Sequence, residues 1–250
     1  MSDIKNQTAS HRSIRKYRSA PICDDILRQI LEAGICASNT GNMQVYSIIV
    51  TKDEELRKQL WEVHFRQNMV LQAPVHITYC ADVNRFSKWC RARNAAPAYE
   101  NFLWFCNASI DAVLASQNVA LAAESFGLGI CYLGTTIYNA GRIIEILKLP
   151  RGVIPVTAAV VGYPDEQPAP AGRLPLEAVV HSETYRDYSD REIDMLYASL
   201  ESNEQTRQLL EINQKETLAQ VFTDKRYPKK DNEAFSAAFL ETMKQQGFLQ

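Results

Sequence analysis

The chain has no uninterrupted apolar run near the roughly 20 residues that a membrane-crossing helix needs, so nothing in its 250 residues reads as a transmembrane span. It also lacks an excess of charge of one sign, because 27 basic side chains against 29 acidic ones leave a formal charge of −2. That balance excludes a general pull toward nucleic acid or an anionic bilayer, so any anion site must be local. Six cysteines are present without a C-x-x-C pair or regular spacing. A disulfide framework and a cysteine-rich zinc site are thereby set aside, and reduced thiols are expected. The four histidines, His11, His64, His76 and His181, stand apart in sequence with no H-E-x-x-H, so no metal centre is expected. The opening MSDIKNQTAS lacks the apolar stretch of a secretory leader, and the expectation is a soluble, cytoplasmic protein.

Several cofactor and nucleophile motifs are missing as well. Gly127, Gly129 and Gly134 cluster at a helix-to-strand passage, but a G-x-G-x-x-G fingerprint would need glycine where Tyr132 stands, and it follows a strand rather than preceding one. No G-x-x-x-x-G-K-[ST] loop occurs, and Ser13, Ser38 and Ser109 have no G-x-S-x-G context, so no activated nucleophile is named. Gly127 and Gly129 read as a helix cap feeding a strand. Gly134 at that strand's far end is either an ordinary turn or a place where the backbone approaches a flat heterocycle.

What is present is enough apolar material for a sizeable core, 46% of the residues, arranged as alternating strand and helix patterns. Strands are predicted at Tyr46 to Thr51, Ala73 to Asp82, Ile130 to Gly134 and Val153 to Pro164, the last continuous enough to be buried on both faces. Between them, PICDDILRQILEAGICA reads as an amphipathic helix capped by Asp24 with Ile22 as a staple, and DEELRKQLWEVH as a charged helix. The Ala-rich segment from Glu100 to Phe126, with Leu103, Ile110, Val113, Leu114, Val119 and Leu121, reads as a central buried helix, and RIIEILKLP as one that Pro150 ends. Beyond Arg173 the chain becomes charged and helical, with candidates at Asp190 to Leu200, Arg207 to Phe222 and Asn232 to Gln246. This order implies an α/β or α+β sandwich whose sheet is covered on both sides, with a tail that wraps a body, its own or a partner's.

The basic cluster HRSIRKYR, His11 to Arg18, is either a solvated face or an anion grip. If it is extended, Arg12 and Ser13 face opposite ways and Arg15 falls on the side of Ser13. Arginine suits phosphate because its planar fork donates in pairs. A nucleic-acid surface would need more basic area than the one further patch, DKRYPKK from Asp224, provides. Arg173, just past a buried strand and a proline-rich loop, is either a second phosphate cation or a surface arginine.

Read together, HRSIRKY, ASNTGNMQ before YSIIV, RQNMVLQAPVHITYCADVNR, AAESFGLGICYLGTTIYNAGRIIEILKLP and VIPVTAAVVGYPDEQPAPAGRLP resemble, in order, the nitroreductase / flavin reductase family and its NADPH-dependent, oxygen-insensitive branch. The resemblance covers residues ~10 to ~188 in register, and agreement of several separated motifs makes it specific. It implies an α+β three-layer sandwich with a mixed central sheet. It further implies one FMN-binding domain over 1–250, with a core of about 10–176 and a helical extension of about 177–250 that wraps the partner of a homodimer. It places His11, Arg12, Ser13 and Arg15 at the flavin's polar edge and phosphate, Asn39 where the branch usually has serine, and Gln67 at the ring's polar edge with Asn68 and Met69 beside it. Tyr132, Leu133, Gly134 and Thr135 match the strand-end segment near the ring's N5, and Arg173 matches the second phosphate arginine. The family's lysine two positions earlier is Ala171 here, and its Gly-Gly is Gly134-Thr135. Arg207 is a candidate for cofactor selection.

The implied activity is two-electron transfer from NADPH or NADH, by a ping-pong route, to a small-molecule acceptor such as a nitroaromatic, a quinone or free flavin, with no classical catalytic residue. Neither nucleic acid nor a membrane is an expected partner. The competing reading, prompted by Thr135 and Ala171, is a flavin-binding or flavin-delivery protein without turnover.

Overall fold

The computed structural model describes residues 4–249, which separate into two compact units, residues 4–169 with 235–249 and residues 170–234. Elements of the first unit are α1 (Ile4–Ala9), α2 (Asp24–Ile35), β1 (Tyr46–Thr51), α3 (Glu54–Val63), α4 (Met69–Gln72), β2 (Val75–Asp82), α5 (Asn84–Arg91), α6 (Phe102–Ser125), β3 (Gly129–Tyr132), α7 (Ala140–Leu147) and β4 (Val153–Gly162). The four strands run antiparallel in the order β1-β2-β4-β3. A parallel component enters through an isolated bridge between Ser13 and Ile130 on β3.

Strand alternation separates the two faces of this sheet. Ala159 and Val161 of β4 pack with Ile77 and Tyr79 of β2 against Ile30 of α2 and Ala112, Ala115 and Val119 of α6. Ala158 and Val160 turn the other way, onto Leu60 of α3, Val70 of α4 and Ile143 of α7. Helices on both faces explain why all eight residues of β2 are buried, and the layers are those the resemblance implies. A third cluster, around Val45, Ala81, Val83 and Ile154, takes in Met243 and Phe248 from the end of the chain.

Four expectations need correction. Asp24 is the first helical residue of α2 rather than its cap; Cys23 holds that position without a side-chain hydrogen bond, and the Asp24 carboxylate pairs with Lys52 at 2.5 Å. Next, α6 is buried along small residues, Ala108, Asp111, Ala112, Ala115, Ser116 and Ala120 among them, while Leu103, Ile110, Val113 and Leu114 are 43–66% exposed. The small residues let the helix lie close to sheet and α2, which is why the bulky stripe points outward. Helices α1 and α5 stand where no helix was expected; α1 buries nothing, so it carries no hydrophobic periodicity.

The fourth correction falls in the second unit, which contains α8 (Asp190–Glu201), α9 (Glu204–Asn213) and α10 (Leu218–Val221). The single helix predicted from Arg207 to Phe222 is broken, because Gln214 takes a left-handed φ of 53° and ends α9. A capping box of Thr217 and Gln220 then starts α10 afresh. The last helix, α11 (Lys229–Gln245), begins in this unit and continues into the first. Among the described residues no helix is long and apolar enough to cross a membrane.

Candidate functional site

The basic cluster is an extended strap pinned at both ends. The Ile14 amide donates to Ile130 O at 2.9 Å, beside the Ser13 bridge to β3. Farther along, Arg18 N donates to Tyr163 O at 3.0 Å and Asp165 N to Lys16 O at 2.9 Å, next to a bridge from Tyr17 to Pro164. Tyr17 lies buried with its hydroxyl donating to Ile14 O at 2.6 Å, and burial raises its phenol well above the usual range. The strap therefore lies along β3 and the loop after β4. Gly129 makes the close approach possible, since a Cβ there would come within 2.6 Å of Ile14 Cγ1.

Each strap side chain has a distinct situation. His11 Nδ1 meets the Glu124 carboxylate of α6 at 2.5 Å, so its ring is tied to a helix end. Arg12 donates to Ser10 O at 3.2 Å and Pro168 O at 3.0 Å. The amides of Arg15 and Lys16 are both taken by Glu166 Oε1, at 2.5 and 3.1 Å. The Arg15 guanidinium is exposed and has no hydrogen-bond or ion-pair partner among the described residues. With the local amides occupied, the guanidinium is a donor that this part of the strap can offer an anion. A cavity of about 570 Å³ has Arg12 and Arg18 in its wall together with Glu124, Asp165 and Glu166, and three carboxylates against two guanidiniums leave it without the cationic excess that a phosphate favours.

Beyond β3 the chain opens at Gly134, which is exposed and has no heavy atom within 4 Å of where a Cβ would stand. Leu133 is buried, with its amide on Ala158 O at 2.8 Å. Tyr132 donates to Ser116 Oγ of α6 at 3.1 Å. Half-buried Thr135 places Oγ1 at 2.7 Å from His64 Nδ1, and Gln67 Nε2 donates to it at 3.4 Å and to His64 O at 3.0 Å. Gln67 is carried there by two consecutive left-handed residues, Phe65 at φ 54° and Arg66 at φ 55°, a backbone usage uncommon outside glycine and characteristic of functional turns. Asn68 precedes α4 without capping it, and Met69 is buried in the core.

Asn39 leads a tight turn and accepts from Gln44 N at 3.1 Å. The following residue is anchored to α6, with Thr40 N and Oγ1 on Asp111 Oδ1 at 2.9 and 3.0 Å. Asp111 itself is almost fully buried. In the second unit Arg173 is exposed and, among the described residues, donates to its neighbouring carbonyls, Ala171 O and Gly172 O, at 3.3 and 3.2 Å. Arg207 pairs with Glu204 on α9 at 3.5 Å.

The structure thus joins Ser13 to β3, and Gln67 to Thr135 at the end of the same strand. His64 and His76, expected to be isolated, meet through their Nε2 atoms at 3.3 Å. Sequence reasoning missed His64, Asp111 and Glu124 as supports of the site. No spacing could reveal them, because each reaches its partner across 71 or more residues. The donor set suits FMN on two counts: unpaired guanidinium for a doubly charged phosphate, and an unobstructed strand end with amide and hydroxyl groups for a flat polar-edged ring.

Residues 8–163 match the family described as the Nitroreductase family. An FMN reductase [NAD(P)H] of Bacillus subtilis is 35% identical over 193 residues, 74% of this chain and 75% of the relative. A crystal structure from Bacteroides fragilis NCTC 9343 superposes with a TM-score of 0.96 at 48% identity, covering 98% of this chain and 100% of the other. The NADPH:FMN oxidoreductase of Vibrio harveyi, solved in complex with NAD+, has a TM-score of 0.80 at 28% identity, over 96% and 97% of the two chains.

Proposed function

The chain belongs to the nitroreductase family, and from that premise we propose that it is an NAD(P)H-dependent flavin oxidoreductase that holds FMN and, by a ping-pong route, reduces nitroaromatics, quinones or free flavin. The observation that carries the reading is the strap. Its bridge to β3 fixes the cation-bearing segment His11 to Arg15 against the same strand that ends openly at Gly134 and Thr135. The hydride and two-electron chemistry, which the chain's own side chains lack, would be supplied by FMN held at this strand end.

The chain's own residues supply position and field. Arg15 would hold the phosphate; Arg12 and Ser13 line the flavin's polar edge with His11, which Glu124 orients. Gln67 and Thr135 present an amide and a hydroxyl toward the ring edge, with Asn68 and Met69 flanking Gln67 and Asn39 contributing from its turn. Tyr132, Leu133 and Gly134 leave a backbone with little side-chain bulk for a ring to approach. Positive charge on the phosphate side favours the anionic reduced flavin electrostatically. Donor and acceptor take turns in one cleft, which is the basis of the ping-pong order.

The exposed stripe of Leu103, Ile110, Val113 and Leu114 on α6 is the surface we assign to a homodimer. The balanced charge is consistent with a cytoplasmic enzyme that engages neither nucleic acid nor membrane. Steady-state rates measured over a matrix of NADPH and quinone concentrations test the reaction order. Parallel double-reciprocal lines are expected, and converging lines would contradict the ping-pong step. The delivery-protein alternative predicts a yellow protein with no turnover.

A further inference from the structure

A polar chain runs from the middle of the sheet to the open strand end. Thr78 Oγ1 meets His76 Nδ1 at 3.4 Å, His76 Nε2 meets His64 Nε2 at 3.3 Å, and His64 Nδ1 meets Thr135 Oγ1 at 2.7 Å. Thr78, His76 and His64 are fully buried, whereas Thr135 is half-buried next to exposed Gly134. The chain therefore starts in the core and ends beside the proposed cleft. Gln67 steadies that end by donating to both His64 O and Thr135 Oγ1.

Burial keeps both rings neutral. It lowers His64 to about 4, and it lowers His76 to about 3 with help from the neighbouring His64 and Arg57. A neutral imidazole has one N–H and one bare nitrogen. Where two Nε2 atoms face each other, one must donate and the other accept. Only two arrangements satisfy every link. In the first, Thr78 donates to His76 Nδ1, His76 Nε2–H to His64 Nε2, and His64 Nδ1–H to Thr135 Oγ1, which leaves the Thr135 hydrogen free to point into the cleft. In the second, every bond is reversed, the Thr135 hydrogen turns inward to His64 Nδ1, and the cleft sees an oxygen lone pair. Each ring and each hydroxyl keeps one hydrogen in both, so the arrangements have equal charge and proton count. In passing from the first to the second, each linking hydrogen crosses its bond toward the cleft, Thr135 releases its former hydrogen to water there, and Thr78 regains one from water when the core opens locally.

We propose that His64 and His76 form a reversible tautomer pair that lets the Thr135 hydroxyl either donate to or accept from one ligand whose edge atom exchanges those roles. This rests on the flavin reading, since the ring edge presents a bare nitrogen when FMN is oxidised and an N–H when it is reduced. A hydroxyl locked in one sense would favour one redox form. The pair satisfies both, and His64 and His76 are positioning residues that act through Thr135.

The test is ring-nitrogen NMR of the FMN-loaded protein labelled with 15N-histidine, recorded oxidised and after anaerobic reduction with dithionite. The hydrogen of His64 is expected on Nδ1 in the oxidised sample and on Nε2 in the reduced one, with His76 inverted in the opposite sense. Identical tautomers in the two samples overturn the inference while leaving FMN binding intact. A Thr135→Val variant should bind both redox forms about 2- to 10-fold more weakly and show no inversion, and Thr135→Ser should restore both. Inversion that survives Thr135→Val, or weakening of one redox form alone, also overturns it. Protein that takes up no FMN removes the flavin reading itself, an outcome distinct from the others.

Discussion

At Arg15 the strap holds a charge without a hydrogen-bond or ion-pair partner among the described residues, beside two amides already used by Glu166. A cation left exposed in this way costs little in the free protein and is available to a phosphate. Arg15→Ala should lower FMN affinity about 10- to 100-fold, the loss expected for a charge-assisted hydrogen bond, as read by quenching of flavin fluorescence. Unchanged affinity would take the phosphate away from Arg15. The buried imidazoles make a separate prediction. Both hold protons more weakly folded than unfolded, so unfolding takes up protons in acid. Their stability is complete above about pH 6.5 and is lost as the pH falls toward about 4 for His64 and about 3 for His76. Urea denaturation should show about 3–4 kcal/mol less stability at pH 5 than at pH 7 from these two groups. Equal stability at the two values would mean that the rings are not held neutral. At this scale the sequence showed which motif residues to name, Ser13, Gln67 and Thr135 among them. It could not show that His64 orients Thr135, because that pairing exists only once α3 and the end of β3 have been brought together by the fold.

The element on which the site depends is the strap, and its position relies on how closely it can lie on β3. Gly129 has no room for a methyl group against Ile14. Gly129→Ala should therefore push the strap away, cost about 1–3 kcal/mol as an overpacked contact does, and weaken FMN binding although residue 129 bears no side chain that touches ligand. Thermal denaturation together with FMN titration checks both effects; a variant with lower stability and unaltered FMN affinity would show that the strap's seating does not matter to the site. Most strands and long helices were legible because each has a burial pattern written in its residues, as in the β-branched run of β4. The face of α6 was not, since its apolar residues surround the helix and only the fold decides that the alanines turn inward. The break between α9 and α10 depends on a left-handed Gln214, a conformation that glutamine does not advertise.

For the whole molecule, the bulky stripe of α6 is the largest consequence of that inward turn. Leu103, Ile110, Val113 and Leu114 recur at helical spacing and are 43–66% exposed, an apolar surface that a second copy would bury. Ile110→Asp should shift the sedimentation coefficient from that of a dimer to that of a monomer; a wild-type protein that already sediments as a monomer would contradict the assignment. The central claim concerns chemistry rather than assembly. It is tested most directly by the visible spectrum of FMN-loaded, desalted protein under anaerobic conditions, before and after one equivalent of NADPH. Retained flavin bands that bleach on NADPH addition and return with a quinone are the predicted result, and a protein that desalts colourless, or whose yellow colour NADPH leaves unchanged, would contradict it.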